Sequence, residues 1–485
     1  MMTNHPSAGG ILRRAQRSLP RPRFGAAALL CSAAVLSVVI STVASGAMSS
    51  HTGAPGSWSL VGSGIRSVSG QIGTARTADG VLHVIWSRGG AGTTQELIES
   101  TVSPAGKVAS PIVIVSGWSR IDDVAATFAT GKPLTVVFTG TKTDTTGDPT
   151  NGLNLATKSG GVWTVGSSAI YQANFASSSV PTIAYGRLGT FQQAWSANGD
   201  VVVHIGVDPA HAATSYGKGS NVSLDQSPYA NANNGADSGA IFWCASGAQT
   251  GIYSQEFYPD RANSGYSLQQ MPGSGTTRCP AASRTALAYP FTAASIGSER
   301  TVRVWAPGTS LASADVASGP GIKQQVALAR NFYVFGHTWV GWRDADSGRL
   351  QLRRSSLDGQ RWGAVVSTAI PAAEDAVYNL DLSSQADRVD VIVRTTKGSA
   401  VSLFHTQMFP GLSIEATSKA GHVTVHVSDA GDPVPDSSVL VGTHLLRTAA
   451  DGTAGIKLPN GSYTVTAAKL HYVGATTSVR VTTAP

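Results

Sequence analysis

Between Trp58 and Phe409 one short pattern recurs. An apolar strand ends in an aromatic residue, a tight turn follows, and an alternating strand returns. Val84-Ile85-Trp86-Ser87 and Val136-Val137-Phe138-Thr139-Gly140 show the first strand. Gln193-Ala194-Trp195-Ser196, Asn198-Gly199-Asp200 and Val201-Val202-Val203-His204 give the whole hairpin. Val340-Gly341-Trp342-Arg343, Asp346-Ser347-Gly348 and Leu350-Gln351-Leu352 repeat it. Val302-Arg303-Val304-Trp305 repeats the strand end, and Val391-Ile392-Val393-Arg394 with Lys397-Gly398 repeats it without the aromatic. Glycine in such turns accepts the positive φ that a two-residue hairpin needs. A period of about 40–60 residues is that of four-stranded propeller blades. One such sheet cannot bury both faces alone, whereas sheets stacked around an axis cover each other and leave only short edges. Seven units begin near residues 65, 118, 178, 232, 280, 322 and 374. The fourth and fifth are the least regular, so the expectation is an all-β fold with a six- or seven-bladed β-propeller over 57–410. A continuous β-helix or a row of sandwiches is the runner-up. No useful helical periodicity follows the leader.

After Phe409-Pro410-Gly411 the aromatic repeat stops. His422-Val423-Thr424-Val425-His426-Val427 alternates strictly, and Asp429 to Val434, Thr448 to Gly452 and Leu458 to Val465 bring short strands separated by Gly and Pro turns. Residues 411–485 therefore read as a small C-terminal β-sandwich.

Residues 1–47 form a leader. Arg13, Arg14, Arg17, Arg21 and Arg23 precede an almost unbroken apolar run over 24–43, and Ser45-Gly46-Ala47 supplies small residues for cleavage. That order is the order of a secretory signal peptide. The run is also long enough to span a bilayer as an uncleaved anchor, the only membrane association the sequence suggests. Cys31 lies within the run behind Leu30, which does not suit a lipidated cysteine. The chain carries a net charge of +7, and removing five leader arginines leaves about +2. A near-neutral remainder has no basic footprint for nucleic acid. Cys244 and Cys279 remain, and an even pair in an exported chain reads as a disulfide. Closing that loop of roughly 35 residues would contribute about 3–4 kcal/mol.

Two resemblances follow. The last 70 or so residues resemble the carboxypeptidase regulatory-like (transthyretin-like) modules of exported bacterial proteins, through the Asp429–Val434 opening, the Thr448–Gly452 turn and the Leu458–Val465 close. That resemblance implies a spacer, stalk or partner contact and no catalysis. The repeat region is similar to sialidase-type propellers. Ser355-Ser356-Leu357-Asp358-Gly359-Gln360-Arg361-Trp362 resembles their Asp-box, with Leu357 in place of the Asp and Arg361 in place of the Thr. The resemblance implies a structural hairpin whose Trp plugs the gap to the next strand.

No catalytic constellation is complete. Arg120-Ile121-Asp122 breaks the Arg-Ile-Pro motif of sialidases at the Pro position. Glu256, with Tyr253, Tyr258 and Asp260, is the one local group of suitable types for glycoside hydrolysis, and it reads first as an ordinary outer strand. His204, His337 and His405 lie in strand-like segments and read as structural. No cofactor is implied. Calcium is the one metal to consider, at Asp344-Ala345-Asp346-Ser347-Gly348 or at Asp144, Asp148 and Asn151, but neither loop supplies six oxygens. Trp86, Trp195, Trp305 and Trp342 share a register and read as inter-blade packing, whereas Trp118, Trp163 and Trp339 lie off it and are freer to serve a ligand. Loops entering the innermost strands would line the channel mouth. They carry Arg120, Asp122 and Asp123, then Tyr171 and Asn174, then Asn234 and Asp237, then Glu374, Asp375 and Asn379. The expected role is a secreted or surface-tethered protein, outside the bacterial cell, binding an extracellular glycan or protein at this mouth. A sialidase-like glycoside hydrolase or lyase is the alternative, and a structural cell-surface protein is the third reading.

Overall fold

The computed structural model describes residues 57–65, 70–142, 152–167, 170, 180–186, 189–207, 214–224, 239–245, 250–257, 268–274, 282–285, 290–305, 313–330, 337–372, 374–385 and 387–482. Residues 1–47, read from sequence as a leader, lie outside them. Every regular element among them is a β-strand, and no helix among them is long and apolar enough to cross a membrane.

Strand β1 (Ser59–Ser63) is followed by β2 (Gly73–Arg76), β3 (Leu82–Gly89), β4 (Gln95–Val102), β5 (Ile112–Thr127), β6 (Leu134–Lys142), β7 (Gly152–Ser159) and β8 (Val162–Val165). Strands β2 to β8 form one antiparallel sheet in chain order. The long β5 joins two blades. Its first half pairs with β4 and its second half with β6, with register shifts between Trp118 and Arg120 and between Ile121 and Val124. A bulge bends a strand and increases its twist, so one strand serves as the outermost of blade 1 and the innermost of blade 2.

Four separate meanders follow. Blade 3 is β9 (Thr182–Tyr185), β10 (Phe191–Ala197), β11 (Asp200–Ile205) and β12 (Thr214–Lys218). Blade 4 is β13 (Ser220–Leu224), β14 (Gly239–Ala245), β15 (Gly251–Phe257) and β16 (Gln269–Gln270). Blade 5 is β17 (Ala282–Thr285), β18 (Pro290–Ile296), β19 (Thr301–Trp305) and β20 (Ala314–Ser318). Blade 6 is β21 (Lys323–Arg330), β22 (Thr338–Asp344), β23 (Arg349–Arg354) and β24 (Val366–Ala369). Blade 7 is β25 (Ala376–Ser384), β26 (Val389–Lys397) and β27 (Ala400–Met408), completed by β1, which pairs Ser59 with His405. The innermost strands β2, β5, β9, β13, β17, β21 and β25 contact one another in that order, and β25 returns to β2. Among the described residues the ring is closed, with seven blades. The fourth begins at Ser220, earlier than residue 232, because its innermost strand carries only Val222 and Leu224 as an apolar signal.

Blades are joined by large side chains from their second strands. Trp86, Phe138, Trp195, Trp243 and Trp342 are all buried there. Each ring needs room on the outermost strand of the preceding blade. Trp86 covers Gly62 of β1 and Trp243 covers Gly219 just after β12, where an added Cβ would collide with the indole, and Trp243 also leaves only tight room at Gly217 of β12. Phe138 meets Trp118 of β5 edge-on at 5.0 Å. Trp305 leaves this register. It lies on the third strand of its blade, and Trp243 is the member the sequence pattern missed.

Charge also joins the blades. Glu99 on β4 is buried and accepts from Lys158 Nζ of β7 at 2.8 Å, from Trp163 Nε1 at 2.8 Å and from His83 Nδ1 at 2.5 Å. Burial alone would raise its pKa, but the His83, Lys158 and Trp163 bonds outweigh burial and hold it at about 2. A depressed carboxyl pKa contributes stability above its unfolded value, near 4.3, and loses it as pH falls toward the folded value. Glu99→Gln should therefore be less stable than the parent by about 2 kcal/mol at pH 7. The difference should shrink as pH drops from about 4.5 toward 2. Urea denaturation of both proteins across that range checks the prediction, and a pH-independent difference would contradict it.

The sandwich comprises β28 (Ser413–Lys419), β29 (His422–Asp429), β30 (Asp432–Pro433), β31 (Ser438–Val441), β32 (His444–Arg447), β33 (Thr453–Lys457), β34 (Gly461–Ala468) and β35 (Ala475–Val481). One sheet is β28-β29-β30 with β33 on β29, and the other is β32-β31-β34-β35. The alternating Val423, Val425 and Val427 face Val439, Val441 and Val465 in one core. The domain seats on blade 6. Arg354 ends β23 fully buried, pairs with Asp429, donates to Tyr472 Oη at 3.1 Å and lies 5.6 Å over the Trp339 ring. The Ser355–Trp362 turn that resembles an Asp-box joins this seam. Leu357 N donates to Asp432 Oδ2 at 2.6 Å, and Arg361 Nη2 to Asp432 Oδ1 at 2.9 Å. Of the two residues that depart from the box pattern, Arg361 therefore helps hold the sandwich by its side chain, and Leu357 does so through its backbone.

Candidate functional site

An axial cavity of about 580 Å³ opens where the innermost strands begin. Gln71, Thr74, Ala126, Thr182, Asn221, Ser223, Gln325, Asn379 and Asp381 reach it from the innermost segments of six blades, and Ser295 and Glu299 from blade 5. Bulges place several of these groups. The innermost ladders shift register at Ser220/Ser223, Gln324/Ala327 and Val377/Asn379, as β5 does at Ile121/Val124. Asn221 and Gln325 sit inside their bulges at φ 51° and 47°. A left-handed non-glycine residue costs about 1–3 kcal/mol, and such strain concentrates at binding and catalytic sites. A bulge also re-aims a side chain that regular alternation would point between blades. The effect is a mouth lined by carboxamides from several blades, with the half-exposed ring of Tyr378 beside them.

The charged groups around the mouth are mostly engaged. Asp123 is buried and accepts from Gln71 N at 2.7 Å. Burial raises its pKa, reinforced by neighbouring Asp122. Arg394 donates to Gly70 O, and burial lowers its pKa to about 10. Together they hold segment 70–71 in place and so position Gln71. Thr74 Oγ1 donates to Asp381. Lys323 is buried with Nζ on Gly321 O at 2.7 Å, and its backbone N donates to Glu299 O at 2.7 Å.

Of the ten rim residues expected from sequence, six are among the described residues, and of those six only Asn379 lines the cavity. Arg120 and Asp122 pair with each other at 2.5 Å, and Asp123 is a buried support. Glu374 accepts from Thr395 Oγ1 at 2.6 Å, and Asp375 from Gly398 N at 2.7 Å. Their polarity stabilises turns. Tyr171, Asn174, Asn234 and Asp237 lie outside the described residues. Gln71, Asn221, Gln325, Ser295, Glu299 and Asp381 also line the cavity and are not among the residues expected from sequence. The available signal was the adjacent Gln324-Gln325 pair, two polar residues where a strand should alternate.

The freer tryptophans are not free. Trp118 is buried under Lys142, Trp163 donates to Glu99, and Trp339 is buried beneath Arg354. Asp344 Oδ1 accepts from Ser347 N at 2.9 Å and Oγ at 2.8 Å, which makes that loop an Asp-stabilised turn. Asp144, Asp148 and Asn151 lie outside the described residues, and no group of three metal-ligating side chains occurs among those described. Tyr253 stacks on Trp243 at 6.0 Å, while Tyr258, Asp260 and the Glu256 side chain are not among those described. Cys244 is buried in β14, and Cys279 lies outside the described residues.

No protein-family model matches the chain. No curated protein matches it either. Among solved structures, a fungal alcohol oxidase of the AA5 family in complex with copper is similar at 12% identity and a TM-score of 0.43, over 89% of this chain and 100% of that one. The Aleuria aurantia lectin with Fucα1-6GlcNAc is similar at 10% identity and a TM-score of 0.37, over 71% and 93%. The Trypanosoma rangeli sialidase with 2,3-difluorosialic acid is similar at 11% identity and a TM-score of 0.37, over 70% of this chain and 54% of that one. Likeness this slight assigns neither a reaction nor a ligand to this chain.

Proposed function

We propose that this chain is an exported or surface-tethered carbohydrate-binding propeller that takes a glycan at its axial mouth. The observation that carries this reading is the set of carboxamides that four blades bring to one cavity through Gln71, Asn221, Gln325 and Asn379. A carboxamide both donates and accepts, as a sugar hydroxyl does, so several of them can read a polyhydroxyl ligand. A volume of about 580 Å³ falls within the range of small-ligand sites. Hydrolysis has less support. Among the described residues that line the cavity there is no arginine to grip a sugar carboxylate. The sandwich, in this reading, is a carboxypeptidase regulatory-like mount for the ring, and the leader directs export.

The test is a glycan array probed with the exported chain, with and without calcium, followed by analysis of every hit for cleavage. Binding without cleavage is expected. Gln71→Ala and Asn379→Ala should each weaken a hit up to about tenfold, the net effect of one lost hydrogen bond. Cleavage would make the protein a hydrolase, and an empty array would leave a protein ligand or a structural role.

A further inference from the structure

One part of the cavity lies between blades 5 and 6. The last pair of the β17–β18 ladder on that side is Ala282 with Ala293, so Ser295 lies beyond it and reaches the cavity from the second strand. Ser295 is 1% exposed, and its Oγ has no hydrogen-bond partner among the described residues. Across the blade boundary, Gln325 Oε1 is also buried and has no partner among the described residues, on the residue held at φ 47°. A buried polar group left without a partner costs about 1–3 kcal/mol, and the large majority in native proteins find one. Two such atoms on one polar cavity mark a place where a ligand group completes the bonding.

Their chemistry selects that group. Gln325 Oε1 only accepts, so it needs an O–H or N–H. Ser295 Oγ can donate or accept. A sugar hydroxyl meets both needs, by donating to Gln325 and accepting from Ser295. A carboxylate or sulfate has no proton to give Gln325. It would also enter a cavity that carries the Glu299 and Asp381 carboxylates, while the lining cation Lys323 is already held on Gly321 O. We infer that the mouth recognises a neutral saccharide, one hydroxyl of which bonds to Ser295 and Gln325, and that it discriminates against acidic sugars. This inference rests on the glycan reading of the same mouth.

The experiment compares the full chain with Ser295→Ala by calorimetric titration. The probes are a neutral oligosaccharide hit and its relative carrying a terminal sialic or uronic acid. The neutral sugar should bind at least tenfold tighter than the acidic one. Ser295→Ala should weaken the neutral sugar about tenfold. Its ligand-free melting temperature should not fall, because no internal hydrogen bond is lost. Equal or tighter binding of the acidic sugar would overturn the class of ligand and leave the mouth as the glycan site. Neutral binding unchanged in Ser295→Ala would show that water alone occupies that corner, and would overturn the assignment. Binding of neither sugar would overturn the glycan reading itself.

Discussion

Asp390→Ala is expected to cost about 3–5 kcal/mol, the usual penalty for leaving a buried charge without its partner. Asp390 on β26 is 0% exposed and sits where the last blade meets the first. It pairs with Arg76 of β2, the innermost strand of blade 1. It also accepts from His405 Nε2 at 2.7 Å, Gln407 Nε2 at 3.0 Å and Gln385 Nε2 at 3.0 Å. Arg76 Nη1 reaches Gly80 O at 2.8 Å, so the guanidinium cannot swing out to water without losing that bond as well. Burial alone would raise the Asp390 pKa. The His405 bond and the Arg76 charge reverse this and hold it at about 2. The contribution is therefore complete above the unfolded value, near 3.9, and is lost as pH falls toward 2.

His405 makes the seam cooperative, because it also lies opposite Ser59 of β1, the strand that completes blade 7. Loss of Asp390 should thus loosen both contacts that close the ring. Guanidinium unfolding at pH 7 and hydrogen exchange measure the two effects. The expected pattern is a lower midpoint with faster exchange in β1 and β27. A loss below about 1 kcal/mol would mean that closure rests on apolar packing alone.

The blades were legible because each is a local object. A hairpin such as 193–204 writes its strands, turn and alternation within a dozen or so residues, and no distant partner is needed to recognise it. The seam was not legible. Ser59-Leu60-Val61-Gly62-Ser63 has neither an aromatic nor a strong pattern, and its partner β27 lies more than 300 residues away. The strand belongs to blade 7 through pairing that its own composition does not announce. The shared strand β5 shows the same limit, since one apolar run became part of two blades only through bulges.

The site suffered from a different ambiguity. Polar loop residues look alike whether they hold a turn or face a ligand. Glu374 and Asp375 serve Thr395 and the Gly398 backbone, and Asp123 serves the Gln71 backbone. Asn221, Gln325 and Asn379 line the mouth from within their strands, at or beside bulges that reverse the direction alternation predicts. A one-residue slip moves a side chain to the other face, and no sequence pattern here places the bulges. Asn379, expected at the rim from the loop that enters β25, lies at the edge of such a bulge and lines the cavity.

The second large effect is expected at the joint between Trp86 and Gly62. Trp86 is 1% exposed and packs among Val61, Ile98, Leu403 and their neighbours. Trp86→Ala should cost about 3–5 kcal/mol, from lost burial and the cavity left behind. The same joint can be broken from the other side. A Cβ at Gly62 would come within 2.1 Å of the Trp86 ring. The indole has little freedom to retreat, because Nε1 donates to Ser100 Oγ at 3.3 Å and Ser100 Oγ in turn donates to Val61 O at 3.0 Å. Gly62→Val should therefore cost about 1–3 kcal/mol by overpacking and weaken the pairing of β1 with β27. The decisive measurement is the double variant. If the glycine exists to admit the indole, valine at 62 fills part of the space that Trp86→Ala empties. The double variant should then be less destabilised than the two single losses combined, by about 1 kcal/mol or more. Strict additivity would separate the two residues energetically and attribute the Gly62 effect to the backbone of β1. A favourable coupling would establish that the ring is closed by an aromatic seated on a glycine, the arrangement that Trp243 repeats with Gly217 and Gly219 between blades 3 and 4.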